Sequence, residues 1–128
     1  MWKYCRNGES NERQFFISND FKYLGWRKPS DEPFNIKNCK KSIDNLVSSI
    51  ILVPLISIHT IILGRYTKVF KKKKHNNTKE FYLSFSLITE ERTVDIVAKT
   101  TYDYEAWILG ISSLLKLQPK WGKYFLKL

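Results

Sequence analysis

The chain has 128 residues, of which 43% are hydrophobic and 15% aromatic, and a formal net charge of +10. That composition excludes a disordered chain and suits a single domain spanning 1–128 with its own core. The positive balance points to an anionic partner: a membrane surface, nucleic acid or an acidic protein.

Trp2 to Cys5 predicts a short strand. Arg6 to Asn11 is turn chemistry around Asn7-Gly8. Arg13 to Ile17 and Lys22 to Trp26 predict a second and third strand, separated by the turn residues Ser18-Asn19-Asp20. The chain therefore opens as an antiparallel meander. Arg27 to Asn45, with Pro29 and Pro33, reads as a long surface loop with a helical turn near Ser42 to Leu46.

Leu46 to Leu63 carries no formal charge and is followed by Arg65 and Lys71 to Lys74, which imitates a membrane span with a basic flank. Ser48, Ser49, Ser57, His59 and Thr60 are many polar groups for such a span, Pro54 sits in its middle, and Ile and Val favour strands. The segment predicts two strands, Ser49 to Val53 and Ile56 to Leu63, bent at Pro54-Leu55. Arg65 to Glu80 is a basic loop with four consecutive lysines near its tip.

Phe81, Leu83, Phe85 and Leu87 alternate with smaller or more polar residues, the period of a half-buried strand through Thr89. Glu90-Glu91-Arg92 is a polar turn, and Thr93 to Ala98 puts Val94, Ile96 and Ala98 on one side. A helix follows over about 101–117. Thr100 with Asp103 forms its start, and Tyr104, Trp107, Ile108, Ile111, Leu114 and Leu115 form one apolar stripe. Gln118-Pro119 ends it. In the tail, 118–128, Trp121, Tyr124, Phe125 and Leu128 alternate with lysines. A hairpin cannot bury its apolar face alone, so these elements imply a small β-rich domain closed by the helix.

Seven strands followed by one Trp-bearing helix is the order of a pleckstrin homology domain. Lys3-Tyr4-Cys5-Arg6-Asn7-Gly8, Phe15 to Asp20 and Leu24-Gly25-Trp26 resemble the opening of the phospholipase C type and of the domains that precede regulator-of-chromosome-condensation repeats in plants. Ile61 to Thr67, Ser84 to Ile88, Arg92 to Val97 and Glu105-Ala106-Trp107 continue the resemblance, which covers Lys3 to Leu117. With its AT-rich codon bias the chain is also similar to acylated members of the family from apicomplexan parasites, sensors of phosphatidic acid on secretory organelles. The resemblance implies a seven-stranded bent antiparallel sandwich or barrel, capped at one corner by the C-terminal helix. It also implies a lipid headgroup site at the opposite, basic pole.

The family pattern places basic residues at the end of strand one and the start of strand two, where this chain has Lys3, Arg6 and Arg13; Lys22, Arg27 and Lys28 follow around strand three. Arg forks and Lys ammonium groups are the side chains that bind phosphate. Lys71, Lys72, Lys73 and Lys74 are an auxiliary membrane contact, each Lys near an anionic surface being worth about 1 kcal/mol. Only Arg13 is basic in Glu12-Arg13-Gln14, and Glu90 and Glu91 are acidic, a departure from tight inositol phosphate binders. The expectation is a non-enzymatic, monomeric module on the cytosolic face of a membrane, binding phosphatidic acid or a phosphoinositide. The alternative is a protein-interaction domain.

Other chemistries have little support. Cys5 and Cys39 are far apart without a CxxC pattern and read as reduced structural thiols. His59 and His75 lack catalytic partners at a recognisable spacing. No metal-ligand cluster or cofactor motif appears, and the basic loops lack the interleaved aromatics of a nucleic-acid binder. Met1 is followed by Trp-Lys-Tyr rather than an apolar run, so no secretory signal is read, and position 2 lacks the Gly of a myristoylation site.

Overall fold

The computed structural model describes residues 1–5, 9–29, 50–72 and 78–122. Two sheets face one another, antiparallel except where the short last strand joins the larger one in parallel, and a single long helix packs at their corner. The strands are β1 (Trp2–Tyr4), β2 (Ser10–Glu12), β3 (Gln14–Ile17), β4 (Tyr23–Arg27), β5 (Ile50–Pro54), β6 (Thr60–Leu63), β7 (Ser84–Ile88), β8 (Thr93–Val97) and β9 (Lys120–Trp121), and the helix is α1 (Thr101–Leu115). One sheet has the order β2-β1-β8-β7-β6-β9 and the other β3-β4-β5. They do not join into a closed barrel.

The second predicted strand, Arg13 to Ile17, is preceded by the unexpected β2: β2 pairs with β1 (Trp2↔Glu12), and beyond Arg13 the predicted strand pairs as β3 with β4 (Phe15↔Trp26). One stretch of chain thus serves both sheets, and Arg13 is the hinge of the sandwich. The predicted turn at Arg6 to Asn11 is shorter than expected, because Ser10 and Asn11 already belong to β2.

Alternation decides which side chains face the core. Leu24 and Trp26 of β4, Val53 of β5, Ile61 of β6, Phe85 and Leu87 of β7, and Val94 and Ile96 of β8 are buried together with Phe15, Ile108 and Ile111. Gly25 points the other way, and its outer face is filled by Phe16 on the neighbouring strand. A Cβ at Gly25 would lie 2.3 Å from the tip of that ring, so any other residue forces the Phe16 ring to shift.

Three boundaries differ from expectation. The strand expected from Ile56 begins only at Thr60, because Pro54 terminates β5 and Leu55–Ser57 close a 3-10 turn. The strand expected from Phe81 begins at Ser84, and Thr78–Leu83 form a 3-10 helix. The helix ends at Leu115 rather than at Gln118-Pro119, since Lys116 adopts a left-handed conformation (φ 55°) and its N–H donates to Ser112 O. Its start is as expected, with the Thr100 hydroxyl accepting from the Asp103 N–H at 3.1 Å. In the apolar stripe Ile108 and Ile111 are buried, whereas Leu114 is exposed. The long loop, its helical turn and Ser49 lie outside the described residues. Among the described residues no helix is long and apolar enough to cross a membrane.

Candidate functional site

The register brings one set of basic residues to the same end of the sandwich. Tyr4 pairs with Ser10 on one side and with Asp95 on the other, so the β1–β2 connection and the β7–β8 turn lie side by side. Trp2 and Tyr4 face outward from β1 and Lys3 faces inward. Its ammonium stands 5.2 Å from the centroid of the Trp26 ring, with only 8% of the residue exposed. The tight Thr89–Arg92 turn, closed by Thr89 N–H to Arg92 O at 2.9 Å and Arg92 N–H to Thr89 Oγ1 at 3.0 Å, delivers Arg92 to the same ring. Its guanidinium carbon is 5.4 Å from the centroid.

Two cations therefore share one indole. Among the described residues the Trp26 Nε1 and Arg92 Nε donors are buried with no hydrogen-bond partner, and Lys3 Nζ reaches only the Cys5 sulfur, a weak acceptor, at 3.9 Å. Among the described residues no carboxylate lies within ion-pair distance of Lys3 or Arg92. Burial holds the Lys3 pKa below its ordinary value, and the positive charges of Arg92 and Arg13 add to the effect against opposing contributions from Cys5 and Asp95. Arg92 also lines an open cleft of 310 Å³ between β5 and its own turn, with Glu90 and Glu91 on the rim.

Around this pair the other candidates distribute unevenly. Arg13 folds back to donate from Nη1 to Glu12 O at 2.7 Å, and Arg27 donates from Nε to Gln14 Oε1 at 2.9 Å. Lys28 follows Arg27 and is exposed. Lys22 is exposed on the turn at the opposite end of β4, about 13 Å along the strand from Trp26. Lys71 and Lys72 are exposed at the end of the segment that crosses the outer face of the six-stranded sheet. Arg6, Lys73 and Lys74 lie outside the described residues. Arg92 was missed in sequence because it sits behind two acids in a turn. The signal that points to it is the pairing of β1 with β8, the strand that starts directly after that turn.

The outer face of the same sheet carries charges of another kind. Asp95 is 1% exposed, and its carboxylate accepts from Thr67 at 2.5 Å, Ser86 at 2.7 Å and Thr93 at 2.7 Å. Arg65 lies between the rings of Tyr4 (4.9 Å) and Phe70 (4.6 Å), donates to Ser84 Oγ at 3.2 Å and stands 3.9 Å from Glu80. This network fastens the segment that leads to the lysine run. Among the described residues no group of three His, Cys, Asp or Glu side chains gathers as a metal site.

No curated protein matches the chain. The family model of the pleckstrin homology domain matches residues 1–116. Nearly the whole chain is covered, two sheets and one C-terminal helix agree with that fold, and the chain belongs to the pleckstrin homology domain family.

Proposed function

We propose that the domain attaches to a membrane by taking the phosphate of an anionic phospholipid at the pole where Lys3 and Arg92 meet over Trp26. The observation that carries this reading is unbalanced charge: two cations, one almost wholly buried, with a weak thiol contact and a shared ring in place of a carboxylate. A phosphate supplies the negative charge and acceptor oxygens that these donors lack. Arg13, Arg27 and Lys28 widen the basic rim. Lys71 to Lys74 add long-range attraction to an anionic surface. Lys22, at the far end of β4, contributes only to the general field.

Acids limit the headgroup. Glu90 and Glu91 border the cleft at Arg92, and Glu12 and Gln14 flank Arg13 where a second cation would be needed for several phosphates. A single phosphate monoester, as in phosphatidic acid, fits this rim better than a polyphosphorylated inositol ring. The test is co-sedimentation with phosphatidylcholine vesicles that contain phosphatidic acid, a phosphoinositide or neither. Binding to the phosphatidic acid vesicles that weakens with salt and falls in Arg92→Gln is the expected result. Equal binding to all three, or indifference to Arg92→Gln, overturns the reading.

A further inference from the structure

Lys3 and Cys5 stand two positions apart at the end of β1, where alternation turns both side chains to one face. The Cys5 N–H donates to Glu9 O at 2.9 Å and carries the β1–β2 pairing one residue past the strand. On that face the two side chains meet, with Lys3 Nζ 3.9 Å from Cys5 Sγ. Asn11, directly opposite Lys3 on β2, donates from Nδ2 to the same sulfur at 3.5 Å.

A lysine ammonium ordinarily sits in water, with its three donors satisfied there. Lys3 is almost wholly buried, and among the described residues no carboxylate lies within ion-pair distance of it. Its nitrogen meets the Trp26 face and the thiol. Burial lowers its pKa, so the neutral amine with its free electron pair forms more readily than at an exposed lysine. Cys5 is only half-buried, and a small solute can reach its sulfur. An amine nucleophile shielded from water thus stands beside a sulfur open to a small oxidant.

We propose that Lys3 and Cys5 are a modification site at which a peroxide closes a covalent S–N bond between the two side chains. In the first step the Cys5 sulfur attacks the peroxide, the O–O bond breaks, and the thiol becomes a sulfenic acid with release of one water. Sulfur gives up two electrons and the peroxide takes them. In the second step the electron pair of the Lys3 amine forms the S–N bond, the S–O bond breaks, and the departing hydroxide leaves as water with a proton from the amine. The Asn11 amide, already donating to the sulfur, is at hand for the oxygen that leaves. A backbone nitrogen closes the same kind of bond in other sulfenamides, and thiols reopen it. The linked nitrogen carries no positive charge, so the pole at Trp26 loses one of its two cations. That last consequence for membrane attachment rests on the lipid reading above; the bond itself does not.

The test treats the folded chain and its Cys39→Ser variant with hydrogen peroxide and digests both with trypsin without reductant. The expected product is a peptide of residues 1–6 about 2 Da lighter, the mass of two hydrogens, uncut after Lys3 and restored by dithiothreitol. Lys3→Met and Cys5→Ser give no such product. In the urea-unfolded chain, where the lysine returns to water, the thiol goes on to a sulfinic acid instead. The linked chain binds phosphatidic acid vesicles at least about tenfold more weakly, and dithiothreitol restores the binding. Vesicle binding of Cys5→Ser is the same before and after peroxide. The proposal is overturned if Cys5 of the folded chain ends as a sulfenic or sulfinic acid, about 16 or 32 Da heavier, with Lys3 still open to trypsin. Pairing of Cys5 with Cys39 or with another chain, or a link that forms as readily in urea, overturns it too. If the link forms and vesicle binding is undiminished, the bond stands and the lipid reading of Lys3 falls. If no link forms and Lys3→Met still loses vesicle binding, the bond falls and the lipid reading stands.

Discussion

Replacing Lys3 by Met should strengthen the fold and weaken the membrane attachment. Lys3 holds an ammonium between the sheets, a placement that costs several kcal/mol before compensation. The Trp26 face returns about 1–2 kcal/mol of that cost, and the Cys5 sulfur at 3.9 Å returns little. Met occupies a similar volume and keeps a favourable sulfur contact with the ring, worth about 1 kcal/mol. The difference leaves Lys3→Met more stable by about 1–2 kcal/mol, a rise in melting temperature of roughly 4–8 °C for a chain of this length. The stability–pH profile adds a second signature. Because burial lowers the folded-state pKa of Lys3, the unfolded chain binds more protons at pH values between that pKa and the ordinary lysine value. Stability contributed by this residue therefore rises with pH through that window. Lys3→Met removes the rise. Phosphate binding has the opposite dependence, weakening as pH climbs through the folded pKa of Lys3. Urea melts from neutral to alkaline pH, paired with vesicle co-sedimentation, measure both. A loss of more than about 1 kcal/mol in Lys3→Met would refute the claim that this charge is held at a cost. Undiminished vesicle binding would refute its link to the headgroup.

Arg92→Gln should reduce binding to phosphatidic acid vesicles about tenfold or more while shifting the urea midpoint little, whereas Lys22→Glu should leave vesicle binding within about twofold. Asp95→Ala should cost about 3 kcal/mol in a urea melt, because it strands the hydroxyls of Thr67, Ser86 and Thr93. Gly25→Ala should cost about 1–3 kcal/mol in the same assay, since its new methyl meets the Phe16 ring at 2.3 Å.

What could be read from the chain followed from periodicity. The β7–β8 hairpin, the Thr100 cap and the inward set Val94, Ile96, Ile108 and Ile111 all repeat at the spacing of their element. Where one residue type fits two backbones, the reading slipped. Ile56 and Phe81 are strand formers by type yet lie in 3-10 turns, the first directly after Pro54. The basic pole was legible only in part. Lys3 and Arg13 were visible as neighbours of a hairpin. Lys22, read from sequence as part of strand three, lies on the turn before β4, about 13 Å along the strand from Trp26. Arg92 was passed over because its neighbours are acids, and only the register with β1 brings it to Trp26.

The chain treats its buried charges in two opposite ways, and on the proposed reading the contrast separates support from recognition. Asp95 accepts three hydroxyl bonds, and Arg65 is enclosed by two rings, a hydroxyl and a carboxylate. Such saturated groups rigidify what they touch, here the segment running from Arg65 toward the exposed Lys71 and Lys72. Lys3 and Arg92 receive none of this. Their sheet positions are as fixed, but their donors meet a π face and a thiol, which supply attraction without acceptor oxygens. The two sites are built around the same strands: Lys3 sits beside Tyr4 on β1, and Arg92 immediately precedes β8, which carries Asp95. Alternation alone sends one to the saturated outer face and the other to the unsaturated interior. On the proposed reading a ligand that binds through acceptor oxygens gains most at the interior pair, where among the described residues no acceptor oxygen meets Lys3 Nζ or Arg92 Nε, and least at the Asp95–Arg65 network, where the groups already hold partners.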